Sequence, residues 1–222
     1  MGLLAPCYAP GQTVAWNNPA GGTFSVASNW VGGVVPGVGN TAAFALNSAY
    51  TVTFANSPSN LNLWLSAGTV SFLQSGTRTY SLSGSPNIAG GTHTFSGLSI
   101  NATGGALGMS GGGRLTVNGG GDVLAPSFTI ANGGDATLTV SGSGSRFVAT
   151  GAGSSYIGRS GGAGYVTFTD SSDGSFSGHL GIAQSGVAGS SGTLLITNGA
   201  DVVVAGNVSI GTSGAAGQVG YL

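Results

Sequence analysis

Lysine and glutamate are absent from this 222-residue chain, and its charged side chains are four arginines (78, 114, 146, 159) and five aspartates (122, 135, 170, 173, 201). So sparse and balanced a set offers no electrostatic footprint for DNA, RNA or an anionic membrane, and nucleic acid is excluded as a partner. One cysteine, Cys7, forbids an intramolecular disulfide, so the fold must rest on packing, while cysteine usage leaves the compartment open. No run reaches the ~18–20 continuous apolar residues that a membrane-spanning helix needs. Residues 1–13 have neither a basic n-region nor an apolar h-region, and read as an irregular or truncated N-terminus rather than a complete signal peptide. A helix is disfavoured throughout, because no apolar stripe of 3.6-residue period survives ten residues without a glycine.

Glycine is abundant instead, at 45 residues. These glycines lack the strict period of three that collagen needs, and the chain is too apolar and too nearly neutral for disorder by charge. They follow a longer rhythm. Ile130-Ala-Asn-Gly, Ile157-Gly-Arg-Ser-Gly, Ile182-Ala-Gln-Ser-Gly and Ile210-Gly-Thr-Ser-Gly recur at spacings of 27, 25 and 28 residues. A second apolar run recurs with them as Leu138-Thr-Val140, Val166-Thr-Phe168 and Leu194-Leu-Ile196. A third recurs as Phe147-Val148, Phe176 and Val202-Val-Val204. All are short, β-branched or aromatic, and end at Gly, Ser, Asn or Asp, which is the signature of strands.

The turns account for the glycines. Val117-Asn-Gly-Gly-Gly-Asp-Val123 and Ile196-Thr-Asn-Gly-Ala-Asp-Val202 both place Asn-Gly between an apolar run and Asp-Val. Asn and Gly accept positive φ at low cost, so they suit a sharp corner. One such unit cannot bury its apolar face alone, whereas stacked units share a continuous core. The expected fold is all-β, a right-handed parallel β-helix (β-solenoid) with three strands per coil of ~27 residues, its hand following the crossover preference of parallel strands.

Within that fold, residues 14–56 are expected to form an N-terminal capping unit carrying Trp16 and Trp30. Residues 57–125 should form irregular coils, two or three in number, and 126–222 the regular repeats, truncated at the C-terminus. An alternative role for Trp16, Trp30 and Trp64 is an aromatic platform for sugar rings. The chain stops as the second run of a new repeat begins, and is expected to be part of a longer polypeptide.

The block from Ser155 to Thr169, the block from Leu194 to Gly214, and Leu138-Thr-Val-Ser-Gly-Ser-Gly-Ser-Arg-Phe147 resemble autotransporter-type repeats. Such repeats occur in passengers of bacterial type V secretion and in proteins bearing a PEP-CTERM sorting tail. The opening phrase (Trp16-Asn, Gly21-Gly-Thr-Phe, Asn29-Trp, Pro36-Gly, Ala42-Ala-Phe) is similar to the start of many such passengers, with Asn40 where an aspartate is expected. The sequence contains no translocator barrel and no PEP-CTERM tail. The resemblance implies export to the outer surface or surroundings of a Gram-negative bacterium, and supplies no catalytic motif.

Chemistry-bearing residues are few. Asp170 and Asp173 share one corner, where capping of the backbone is the ordinary role, and a general acid–base pair or a calcium pair is the alternative. Asp122 and Asp201 follow Asn-Gly in the same slot, with no aspartate expected there in the two copies between. His93 is expected to point outward from its strand and His179 to sit beside a turn, neither at metal-ligand spacing. No catalytic, cofactor-binding or metal-ligating residue is assigned, and no cofactor is expected. Thr137, Thr139, Thr167 and Thr169 raise the further possibility of an ice-binding threonine face, although their register slips between copies. The expected function is an exported structural stalk or adhesin-like module without catalysis, meeting surface glycans or host matrix proteins. The alternative is a β-helix polysaccharide lyase or hydrolase, or a carbohydrate-binding module.

Overall fold

A computed structural model describes residues 11–74, 76, 78–184, 187–211 and 219–221. Cys7, the Ser185-Gly186 step and most of the final repeat phrase therefore lie outside the described residues. The chain winds as a parallel β-helix. Two nine-stranded sheets run the length of the molecule and a seven-stranded sheet joins them from residue 59 onward, each then taking every third strand in sequence order, with strands of neighbouring coils paired in parallel. Nine layers at about 4.8 Å per step make a rod of about 38 Å.

The first face shows why the isoleucine phrase repeats. Phe128–Asn132, Ser155–Arg159, Leu180–Ile182 and Val208–Ile210 are adjacent strands, and their register places Ile130 on Ile157, Ile157 on Ile182, and Ile182 on Ile210. The first three are fully buried. Each isoleucine is followed by a residue in the left-handed region: Ala131 (φ 66°), Gly158 (73°), Ala183 (53°) and Gly211 (61°). That position admits only small residues because a larger side chain would meet both the left-handed penalty and the adjoining coil. At Gly158 even a Cβ would run into the Ser191 backbone.

The second face stacks Leu138 on Val166 and Val166 on Leu194, as the repeat requires. On the third face the aromatic runs interleave. Phe147 pairs with Gly174, and Phe176 with Ala149, so each ring has a small neighbour. The two rings then meet edge to face at 6.3 Å, an arrangement favoured by the ring quadrupoles.

Coil length varies along the rod. After the first strand, Thr13–Ala15, first-face strands begin at residues 41, 62, 86, 107, 128, 155, 180 and 208. The coils from 41 to 127 are therefore 21 to 24 residues long, and those beyond 128 run 25 to 28. Two of the shorter coils start with the three-residue strands Pro86–Ile88 and Leu107–Met109, whose weak sequence signal left them without a sequence assignment. Pro86 occupies the first position of its strand, where the missing N–H costs least.

The interior is one apolar column. Trp16 and Trp30 meet edge to face at 5.1 Å and are buried among Phe24, Phe44 and Tyr50. Each indole N–H donates to a backbone carbonyl, Trp16 to Asn18 and Trp30 to Phe24, both at 2.7 Å. The fully buried Tyr80 hydroxyl donates to Asn60 Oδ1 at 2.7 Å, and burial raises its pKa far above the ordinary tyrosine value.

His93 departs from expectation. It lies in Thr92–Ser96, in register with the inward Val70 and Leu115, and its side chain is wholly buried. The reason is strand parity: two residues before the inward Phe95, a side chain must also point inward.

Candidate functional site

Because the interior is filled, chemistry is confined to the three outer faces. On the first face, register aligns the outward positions Ala43, Trp64, Asn87, Gly108, Thr129 and Tyr156 in successive layers. Gly108 interrupts this row of side chains, and Asn87 leans across the space, its Oδ1 2.8 Å from where a Cβ of residue 108 would sit. The result is a groove of about 590 Å³ bounded by Trp64 at one end and by Thr129 and Asn132 toward the other, within the size range of ligand sites. No ionisable side chain lines it.

Trp64 is 47% exposed, against 1% and 2% for Trp16 and Trp30. The three tryptophans therefore do not form a common platform: two belong to the core, and Trp64 alone reaches solvent.

On the third face, four charged residues fall into one column, Asp122, Arg146, Asp173 and Asp201, one per layer. Arg146 grips Asp122 with both Nε and Nη2, at 2.9 and 3.0 Å. That hydrogen bond and the Asp122 charge, helped by Asp173, hold the guanidinium pKa above its ordinary value. Arg146, Asp173 and Asp201 line a shallow cleft of about 380 Å³ with Val148 and Val203, and no aromatic side chain joins them. The expectation that no aspartate separates Asp122 from Asp201 is corrected here. Asp173 fills the slot next to Asp201, because the corner Asp170-Ser171 turns with the same pair of left-handed residues as Asn198-Gly199. The same turn splits Asp170 from Asp173: Asp170 accepts a bond from Asn198 Nδ2 at 3.2 Å, away from the Asp173 column.

The second face carries a hydroxyl row. Thr51, Ser71, Thr94, Thr116, Thr139 and Thr167 stack in successive layers before Leu195 ends the series. The parallel row two residues earlier reads Thr69, Thr92, Arg114, Thr137, Tyr165 and Thr193, so its threonines are interrupted twice.

The remaining candidates are structural in their contacts. His179 Nε2 lies 3.1 Å from Gln184 Oε1. Arg159 sits 4.3 Å over the Tyr156 ring, a cation–π contact. Among the described residues no three His, Cys, Asp or Glu side chains gather as metal ligands, and no helix is long and apolar enough to cross a membrane. No protein-family model matches the chain, and no curated protein or solved structure is detectably similar to it.

Sequence reasoning missed the first-face groove. Trp64 was visible, but Asn87, Gly108, Thr129 and Asn132 are polar or small residues scattered over three coils of unequal length. Nothing in the linear sequence marks them as neighbours.

Proposed function

We propose that this chain is a non-catalytic segment of an exported bacterial surface protein, acting as a rigid stalk or adhesin-like module. The observation that carries this reading is the hydroxyl row of the second face, an uncharged hydrogen-bonding strip six layers long on a filled rod. Such a strip suits many weak contacts along a surface rather than one turnover site. The autotransporter-like repeats support placement outside the cell, with surface glycans or host matrix proteins as partners. The test is retention of the purified chain on arrayed glycans and matrix proteins, run beside reducing-end release from pectin, alginate and mixed plant polysaccharides. Retention without release supports the module; release of sugar ends overturns it.

A second reading, a polysaccharide lyase or hydrolase, is favoured by the adjacency of Asp173 and Asp201 beside Arg146. Two neighbouring carboxylates are the minimum set for acid–base or nucleophilic attack on a glycosidic bond. On that reading any released sugar ends disappear in Asp173→Asn and Asp201→Asn. An ice-binding face is favoured only by the threonine row and would show as thermal hysteresis lost in Thr116→Leu.

A further inference from the structure

We propose that the first-face groove binds a neutral, linear carbohydrate chain, with Trp64 as its stacking platform. This rests on the adhesin-like reading and names the ligand class and the place where it would be held.

Trp64 is exposed in a chain that buries its other two indoles completely, and its indole makes no hydrogen bond or ring contact among the described residues. Tryptophan is a highly buried residue on average, and here the exposed indole stands where it lines a groove. A pyranose ring offers an apolar face of C–H bonds to such a surface and a rim of hydroxyls to its surroundings, a match for the negative face of the indole. The groove supplies the rim's partners. The side chains of Asn87, Thr129 and Asn132 border it and have no hydrogen-bond partner among the described residues. An amide both donates and accepts, as a sugar hydroxyl does.

Charge decides the class of sugar. With no arginine, histidine or aspartate in the lining, nothing there would pair the carboxylate of a uronate or a sulfate ester, and desolvating such an anion would go uncompensated. Length follows from the fold. From Trp64 to Thr129 the row advances three layers, about 14 Å at about 4.8 Å per step, so an extended chain of three to four sugar units spans it. The groove lies along an outer face, which lets an internal stretch of a polymer bind.

The test uses the purified chain with cellohexaose, laminarihexaose and mannohexaose, and with oligogalacturonate as the charged comparison, followed by tryptophan fluorescence and calorimetry. At least one neutral hexamer is expected to shift or quench the emission of the exposed indole. Trp64→Ala should weaken that binding at least tenfold and abolish the spectral change, and Gly108→Leu, which fills the floor, should weaken it similarly. Circular dichroism should be unchanged in Trp64→Ala, since the side chain projects outward between the inward Leu63 and Leu65. Absence of any effect by the neutral hexamers, equal binding by Trp64→Ala, or preference for oligogalacturonate each overturns the proposal. The two readings separate cleanly. Retention on matrix proteins with no binding of any neutral hexamer keeps the adhesin-like module and removes the groove. Groove binding accompanied by release of sugar ends keeps the groove and removes the non-catalytic reading.

Discussion

Replacing His93 by leucine should remove an acid-sensitive contribution to the stability of this rod. The imidazole is wholly buried between Val70 and Leu115, one in each neighbouring layer. Its Nε2 lies 2.8 Å from the Gly90 carbonyl oxygen, which makes Nε2 the protonated nitrogen of a neutral ring, and its Nδ1 has no partner. Protonation would place a second N–H, and a charge, where nothing accepts them. Burial therefore lowers the His93 pKa below its ordinary value of 6.5, against a smaller opposing contribution from the Gly90 hydrogen bond. The sign follows directly. Below about pH 6.5 the unfolded chain binds a proton that the folded chain refuses, so stability falls as pH drops. Above that pH the contribution is complete. The loss is at most about 1.4 kcal/mol per pH unit for one site, so moving from pH 7.5 to 5.5 costs up to about 1.4 kcal/mol. Urea unfolding of the natural chain and of His93→Leu at both pH values measures it. The natural chain should lose stability on acidification, and the variant, with a side chain like its Val70 and Leu115 neighbours, should lose less by that amount. An identical pH dependence in the two proteins would refute the assignment.

Other substitutions probe the stacking itself. Ile157→Ala removes the middle of a buried isoleucine column and should cost about 2–5 kcal/mol in chemical denaturation. Gly158→Ala puts a Cβ against the Ser191 backbone at φ 73° and should lower the unfolding midpoint strongly, whereas Ala131→Gly at the equivalent corner should stay within about 1 kcal/mol of the natural chain. Arg146→Ala breaks an exposed bidentate pair with Asp122. It should cost no more than about 1 kcal/mol, and less in high salt, because exposed ion pairs are weak and screened.

How far the molecule could be read in advance differs from residue to residue. The isoleucine column was legible because Ile130, Ile157, Ile182 and Ile210 recur in a common phrase, and strand periodicity then puts all four on one inner line. The corners were legible for a similar reason: Asn198-Gly199 announces the left-handed geometry that a turn between faces demands. Three-stranded coils stacked in parallel follow from those two local signals, since each unit leaves an apolar face that only another unit can cover. His93 was misjudged where the parity of its own strand, set by Phe95, was the deciding local fact. The outer surface is a different matter. Coils of 21 to 28 residues mean that no fixed offset in sequence predicts which outward side chains become neighbours. Asp173 beside Asp201, the unbroken row from Thr51 to Thr167, and Trp64 above Asn87 and Gly108 exist only once every coil has been closed and set in register. Local chemistry in the sequence determined that this chain would wind and stack; the interlayer register, which depends on the length of every turn at once, decided what its faces present to a partner.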